Sequence, residues 1–371
     1  MLDLNDTIFE KPWGRPQNDG PATAAITMME FANSYLKKGG NTTTVLQKIY
    51  DSTNFPKAAP VKKDLLFVAS NWTSASYDLW EEESSDHFYT RMVQRKALVM
   101  GVEFAKKMND TQTASKLQSA ANALSATMSQ FWDQGRQILL YEYGPVLAGK
   151  SSYLDAAVPL ALIHGYAGDN FYSWTNDQVQ STIVRFATSF IDVYPLFNKT
   201  QKDSSGLPLG IPIGRYPEDV YNGTGTQENG GNPWYLTTAA LAQYFWSSSE
   251  EYASAGKIAP TNTSKAFFDY FSPLANVSVG KTYQSNSKEF KAVIDGLNGW
   301  GDAFMRTVKY YTPSDGSLAE EYSRNTGAPQ GCVDLTWSYA SILTAGFSRA
   351  KVRGQKNYVT DLANLGYTEN S

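Results

Sequence analysis

Residues 290–311, FKAVIDGLNGWGDAFMRTVKYY, decide the fold class. In them Phe290, Ile294, Leu297, Gly301, Phe304, Val308 and Tyr311 advance by alternating steps of four and three. That spacing lines one face of an α-helix with apolar side chains. The same stepping recurs in Leu117, Ala121, Leu124, Met128 and Phe131, and again in Val179, Ile183, Phe186, Phe190 and Val193. The last stripe carries its own punctuation, since Thr175 with Gln178 fits a capping box and Pro195 follows its end. Working outward, further helices read at about 21–38, 61–72, 87–108, 152–165, 233–252, 264–272 and 333–350, ten in all, while strand signals are few. The fold class expected is all-α. Long segments rich in Gly, Pro, Asn and aromatics at 9–20, 73–86, 198–232 and 312–332 separate the helices, and loops of that length in a helical protein usually carry function. No internal repeat or low-complexity linker divides the 371 residues, so residues 1–371 are read as a single domain.

Composition excludes several classes of function. A formal net charge of −4, with both signs interspersed, leaves no basic stripe for nucleic acid. With Cys332 the one cysteine, neither a disulfide within the chain nor a Cys-based metal site can be built, and the two histidines, His87 and His164, argue against a His-rich metal site. No metal or cofactor is therefore expected. No apolar run is long enough for a membrane span. Eight Asn-x-Ser/Thr sequons, at Asn5, Asn41, Asn71, Asn109, Asn198, Asn222, Asn262 and Asn276, favour the secretory pathway, with a secreted or vacuolar destination. The first thirty residues hold no apolar leader, so either a signal peptide lies upstream of Met1 or the protein is not secreted.

Four stretches hold the side chains suited to chemistry. YDLWEEE at 77–83 packs Asp78, Glu81, Glu82 and Glu83 around Trp80 ahead of a helix. An acidic helix start, favoured by the helix dipole, is the ordinary reading of such a run, and a functional one needs a second carboxylate elsewhere. SLAEEY at 317–322 supplies a second pair, Glu320 and Glu321. Two separated carboxyl groups are what glycoside hydrolysis requires, one to protonate the leaving oxygen and one to activate water or attack the sugar. WGRPQNDGP at 13–21 and GRYPEDVY at 214–221, followed by GNPW at 231–234, gather Trp, Arg, Asp, Glu and Asn, side chains suited to sugar hydroxyls and sugar faces. Asp19 and Pro21 are also an ordinary helix start. Nothing in the chain matches a nucleophile elbow, a P-loop or a zinc HExxH motif.

In this order, WGRPQNDGP, YDLWEE, GRYPEDVYNG, GNPW and DLTWSYA at 334–340 resemble the fungal glucoamylases of glycoside hydrolase family 15 over residues 12 to 350. The resemblance implies an (α/α)6 barrel of six helical hairpins, with the site on the loops at one end. Ten helices make five hairpins, so the first hairpin is expected to be missing. It implies exo-acting, inverting release of β-D-glucose from the non-reducing ends of α-1,4-glucans such as starch, glycogen and maltooligosaccharides. Glu81 resembles the general acid and Glu320 the general base; Ala319 and Glu321 depart from the family's S-E-Q-Y pattern. Asp78 and Glu82 resemble supporting and subsite carboxylates, and Trp13, Arg15, Asp19, Arg215, Glu218, Trp234 and Trp337 resemble residues lining the glucose pocket. Family members carry a WTRDS-like motif upstream of the region of Trp13 that is not found here, and no starch-binding domain is visible. The alternatives are a catalytically impaired, glucan-binding pseudoenzyme and a related α-glucosidase or trehalase. An α-glucan is the expected partner, and the chain is expected to be a monomer.

Overall fold

A computed structural model describes residues 7, 10–51, 59–144, 150–226 and 230–355. These residues form two compact units, the first made of residues up to Phe131 with Glu142–Leu147 and His164–Ala167, the second of the remainder. The helices are α1 Gly20–Lys37, α2 Thr42–Val45, α3 Val61–Asn71, α4 Phe88–Lys107, α5 Thr111–Thr127, α6 Ala157–Gly165, α7 Asp177–Ser189, α8 Pro195–Lys199, α9 Tyr235–Ala255, α10 Lys265–Phe271, α11 Lys288–Tyr311 and α12 Thr336–Val352. All ten helices read from the sequence are present, and the all-α expectation holds.

In the first unit α4 packs against α5 and α1 packs on α3 and α4. Leu117, Ala121, Leu124, Met128 and Phe131 are all buried, as their spacing requires. Strands β1 Ser76–Tyr77 and β2 Ser84–His87 form an antiparallel hairpin inside the segment read as the 73–86 loop. In the second unit β3 Trp132–Asp133 pairs with β4 Ile138–Leu139. β5 Glu142–Tyr143 extends the first unit's hairpin through β2. Two further short pairs, β6 Lys257–Ile258 with β7 Tyr283–Gln284 and β8 Glu321–Tyr322 with β9 Pro329–Gln330, belong to the second unit.

The second unit centres on α9, which packs against α11 and α12. Its core is aromatic: the Phe245 ring lies 4.6 Å from Phe271 and 5.6 Å from Phe304 between centroids. Burying each such ring stabilises the fold by roughly 1.5–3 kcal/mol, so much of the aromatic content belongs to packing. Gly301 interrupts the α11 stripe for a reason visible in three dimensions. A Cβ there would stand 2.6 Å from Nε1 of the fully buried Trp246.

The structure corrects several local readings. Asn176, not Thr175, caps α7, its side chain accepting from the backbone N–H groups of Gln178 and Val179 at 3.0 and 3.2 Å. The amide of Thr175 instead donates to Glu251. Pro195 opens α8 as well as following α7, since proline suits a first helical turn. α6 begins at Ala157 rather than near 152 because the Asp155 carboxylate accepts from the Ala157 N–H at 2.7 Å and starts the helix there. α2, capped by Asn41 and continued by a π-turn over Leu46–Tyr50, had no readable signal. Among the described residues no helix is long and apolar enough to cross a membrane.

Candidate functional site

The acidic run of residues 77–83 does not start a helix. It forms the turn between β1 and β2, with the Asp78 N–H donating to the Glu83 carbonyl at 3.0 Å. Asp78, nearly fully buried, organises that turn: Oδ1 accepts from the N–H groups of Glu82 and Glu83 at 2.7 and 3.0 Å, and Oδ2 from Trp80 at 3.2 Å. The turn places Glu81 at φ +64°, a left-handed conformation that costs a side-chain-bearing residue of order 1 kcal/mol or more. Both oxygens of this exposed carboxyl are engaged. Oε2 accepts from Trp13 Nε1 and Oε1 from Gln17 Nε2, each at 2.8 Å. Glu82 is half-buried beside it.

The 13–19 segment reaches Glu81 because it is pinned along β1. The Tyr77 N–H donates to the Pro16 carbonyl, and the Asn18 N–H to Ser76 Oγ, both at 2.8 Å. Gly14 makes the close approach possible, since a Cβ there would stand 2.8 Å from the Tyr77 ring and 3.1 Å from the Glu81 carbonyl oxygen. Asp19 precedes α1 without a side-chain cap bond. Burial raises the Asp19 carboxyl above its usual range, backbone hydrogen bonds oppose this, and the charges of Asp78 and Glu81 add to it. Trp13 is half exposed and Arg15 exposed. The first unit thus brings Trp13, Asp19, Asp78 and Glu81 together, with Gln17 as a member that was not singled out from its motif.

A second cluster forms in the second unit. Arg215 and Asp219, both buried, make a two-pronged ion pair with Nε–Oδ2 and Nη2–Oδ1 each 2.7 Å. The rings of Tyr221, Tyr216 and Trp234 lie 5.1, 5.3 and 5.7 Å from the guanidinium carbon. Behind it a buried Lys150–Asp155 pair at 3.0 Å fixes the turn whose Ala156 N–H donates to the Arg215 carbonyl at 2.7 Å. Glu218 turns to the same loop, accepting from Ser152 N at 2.6 Å, Ser152 Oγ at 3.0 Å and Ser151 Oγ at 3.1 Å.

Glu320 immediately precedes β8. Tyr221 Oη donates to its Oε2 at 3.4 Å, and its own N–H donates to the Cys332 carbonyl at 2.9 Å. Burial raises the Glu320 carboxyl, while the Cys332 N–H, Tyr221 and Arg215 favour its ionised form. Gly331, at φ +73°, leaves the room this needs, because a Cβ there would meet Glu320 Oε2 at 2.5 Å. The 318–319 segment is tied to α12, where Ser338 Oγ donates to the Ala319 carbonyl at 2.8 Å, and Trp337 sits half-buried in that first helical turn. Trp234 is buried at the start of α9. Sequence reading passed over Asp219, Tyr221 and Asn232, though each lies within or beside a quoted motif. Glu81 and Glu320 lie one in each unit. Among the described residues no group of three or more His, Cys, Asp or Glu side chains has the arrangement to hold a metal ion.

Comparison with known proteins adds a family. The family model described as glycosyl hydrolases family 15 matches residues 4–347. The glucoamylase of Blastobotrys adeninivorans is 56% identical over 362 residues, covering 98% of this chain and 58% of that protein. Among solved structures, the glucoamylase of Saccharomycopsis fibuligera superposes with a TM-score of 0.83 at 30% identity, covering 96% of this chain and 74% of the other. The family 15 glucoamylase of Hypocrea jecorina gives 0.81 at 31% identity, covering 95% and 55%. The chain therefore spans about half the length of the curated relatives it matches, and its fold class is the (α/α)6 type of these structures.

Proposed function

Because the chain belongs to glycosyl hydrolase family 15, we propose that it hydrolyses α-1,4-glucans from their non-reducing ends and releases β-D-glucose with inversion. In this reading residues 1–371 belong to one catalytic domain, monomeric, that acts on starch, glycogen or maltooligosaccharides. The observation that carries the proposal is the setting of Glu81, a carboxyl held in a left-handed turn with Trp13 and Gln17 on its two oxygens. A fold keeps such a strained, exposed acid only where its surroundings over-determine it, and such sites cluster where chemistry occurs.

Glu81 serves as the general acid. Its proton passes to the glycosidic oxygen as the C1–O bond breaks. Glu320 serves as the general base, taking a proton from water as that water attacks C1 from the opposite face. The cycle leaves Glu81 ionised and Glu320 protonated, and exchange with solvent restores both. The burial that raises the Glu320 carboxyl makes it a stronger base, and the Tyr221 hydroxyl, the Cys332 N–H and Arg215 keep it ionised. Asp78 supports the acid, and Glu82 serves the subsite nearer the leaving sugar. Trp13, Arg15 and Asp19 from one side of the chain's sequence, and Arg215, Glu218, Trp234 and Trp337 from the other, line the sugar. The exposed sequons Asn41, Asn109, Asn198, Asn262 and Asn276 fit a secreted or vacuolar glycoprotein; Asn5 lies outside the described residues.

Glu81→Gln and Glu320→Gln, assayed for glucose release, should each lose at least about 10²-fold of activity, the usual worth of one general acid or base. Retention of more than about a tenth by either variant overturns its assignment. Running the parent on maltose, maltoheptaose, starch and trehalose separates this reading from a trehalase or α-glucosidase, and glucan binding without release identifies a pseudoenzyme.

A further inference from the structure

The carboxylate next to Glu320 has very different surroundings. Glu321 is fully buried. Its Oε2 accepts from Asn232 Nδ2 at 2.8 Å, and its Oε1 is buried with no hydrogen-bond partner among the described residues. Asn232 grips the chain in β8 and just after it, because its Oδ1 also accepts from the Arg324 N–H at 3.1 Å. Its carbonyl takes the Tyr194 hydroxyl at 3.3 Å. The neighbouring backbone joins in, with the Tyr322 N–H on the Pro233 carbonyl at 3.0 Å and a bridge between Trp234 and Glu321. The GNPW segment is therefore clamped to the strand that follows Glu320.

The charged and titratable groups around Glu321 are Glu320 just before its strand, Asp219, Arg215 and Tyr221 on the 214–221 loop, Tyr194 after α7, and Arg324 two residues beyond β8. Of the cations nearby among the described residues, Arg215 is committed to Asp219 through two hydrogen bonds, and the Arg324 guanidinium donates to the carbonyls of Gly231 and Val193. An ionised Glu321 would thus sit dry, with one amide bond and two carboxylate neighbours. Burial pushes its carboxyl up to about 8; the Asn232 bond opposes this, Glu320 and Asp219 add to it, and Arg215 opposes it.

We infer that Glu321 is a positioning residue that works as the neutral acid: with Asn232 it holds the strand presenting Glu320, and loss of its proton to solvent loosens that strand. The inference rests on the reading of Glu320 as base. Ionisation buries an uncompensated charge, and its relief requires water to enter beside β8, which moves Glu320.

The test compares the parent with Glu321→Gln and Glu321→Ala, measuring kcat and KM on maltoheptaose from pH 4 to 9 together with thermal melting. Between pH 7 and pH 9 parental kcat should fall about tenfold further than that of Glu321→Gln, which keeps the shape and the acceptor for Asn232 but cannot ionise, with KM little changed in either. Glu321→Ala should lower kcat at every pH, so that Gln acts as the rescuing substitution. Should Ala fail to fold, the Gln profile still decides. Melting supplies a readout independent of activity. A carboxyl held above its unfolded value of 4.5 lends its full stability below that pH and loses it as pH rises to about 8, so the parent's Tm should decline over that window relative to Glu321→Gln. Superimposable kcat and Tm profiles for parent and Glu321→Gln overturn the inference, and a Tm difference without a kcat difference overturns the positioning role. Activity in Glu320→Gln would instead remove the base assignment while leaving the Tm difference standing.

Discussion

Replacing Asp219 by Asn isolates the electrostatic load on the second cluster. The wild-type carboxylate offers two acceptors to the Arg215 fork at 2.7 Å each, and both side chains are at least nine-tenths buried. An amide of the same shape offers one acceptor and turns an NH2 toward the guanidinium, so the two-pronged charge-assisted pairing with Asp219 is lost. The rings of Tyr216, Tyr221 and Trp234 soften this, at roughly 0.5–2 kcal/mol per cation–π contact, but they accept no N–H bond in the guanidinium plane. Breaking one partner of a buried pair costs about 3–5 kcal/mol, which for a unit of this size lowers Tm by roughly 6–20 °C. That is a large part of the roughly 5–15 kcal/mol that holds a domain together. The assay is urea and thermal unfolding of Asp219→Asn, Arg215→Met and the double variant. The double variant should recover much of the loss, because replacing both charged groups by neutral ones removes two buried charges together. A loss below about 1 kcal/mol for Asp219→Asn, or strict additivity in the cycle, refutes the reasoning.

Three further outcomes follow from particular contacts. Gly331→Ala places a methyl 2.5 Å from Glu320 Oε2 at a backbone φ of +73°; it should displace the carboxylate and lower kcat by at least about tenfold, and an unchanged kcat in the assay would contradict the placement. Glu218→Ala removes the acceptor of three bonds from Ser151 and Ser152 and should destabilise by about 1–3 kcal/mol in denaturant titration, parental stability ruling out a clamp on that turn. His164, whose Nδ1 lies 3.0 Å from the Tyr89 hydroxyl, is lowered to about 4 by burial and, less, by Lys96. The stability of its neutral form is full above 6.5 and is lost as pH falls toward 4, so His164→Asn should flatten the Tm profile across that window, and a profile as steep as the parent's would show that another group governs it.

How far the sequence was legible depended on the range of the interactions. Leu117 to Phe131 announced α5 because its stripe is a local, periodic consequence of burial, and the same logic located all ten longer helices. Caps were less secure: Thr175 and Asn176 both have the chemistry to cap α7, and which one does depends on Glu251, remote in sequence, taking the Thr175 amide. The hairpin at Asp78 was hidden because three backbone N–H bonds to one side chain mimic a helix start in one dimension. Gln17 and Asn232 were invisible as individuals, since their partners lie 64 and 89 residues away. Motif order pointed to the right segments, whereas the choice of atoms within them needed the fold.

The measurement that tests the central claim most directly is proton NMR of the first glucose released from maltoheptaose, followed before mutarotation in the parent, Glu81→Gln and Glu320→Gln. An acid–base pair acting through a single displacement by water predicts β-glucose from the parent and nearly silent spectra from both variants. α-Glucose as the first anomer, or a β-anomer signal from either variant growing at the parental rate, would contradict the assignment of Glu81 and Glu320.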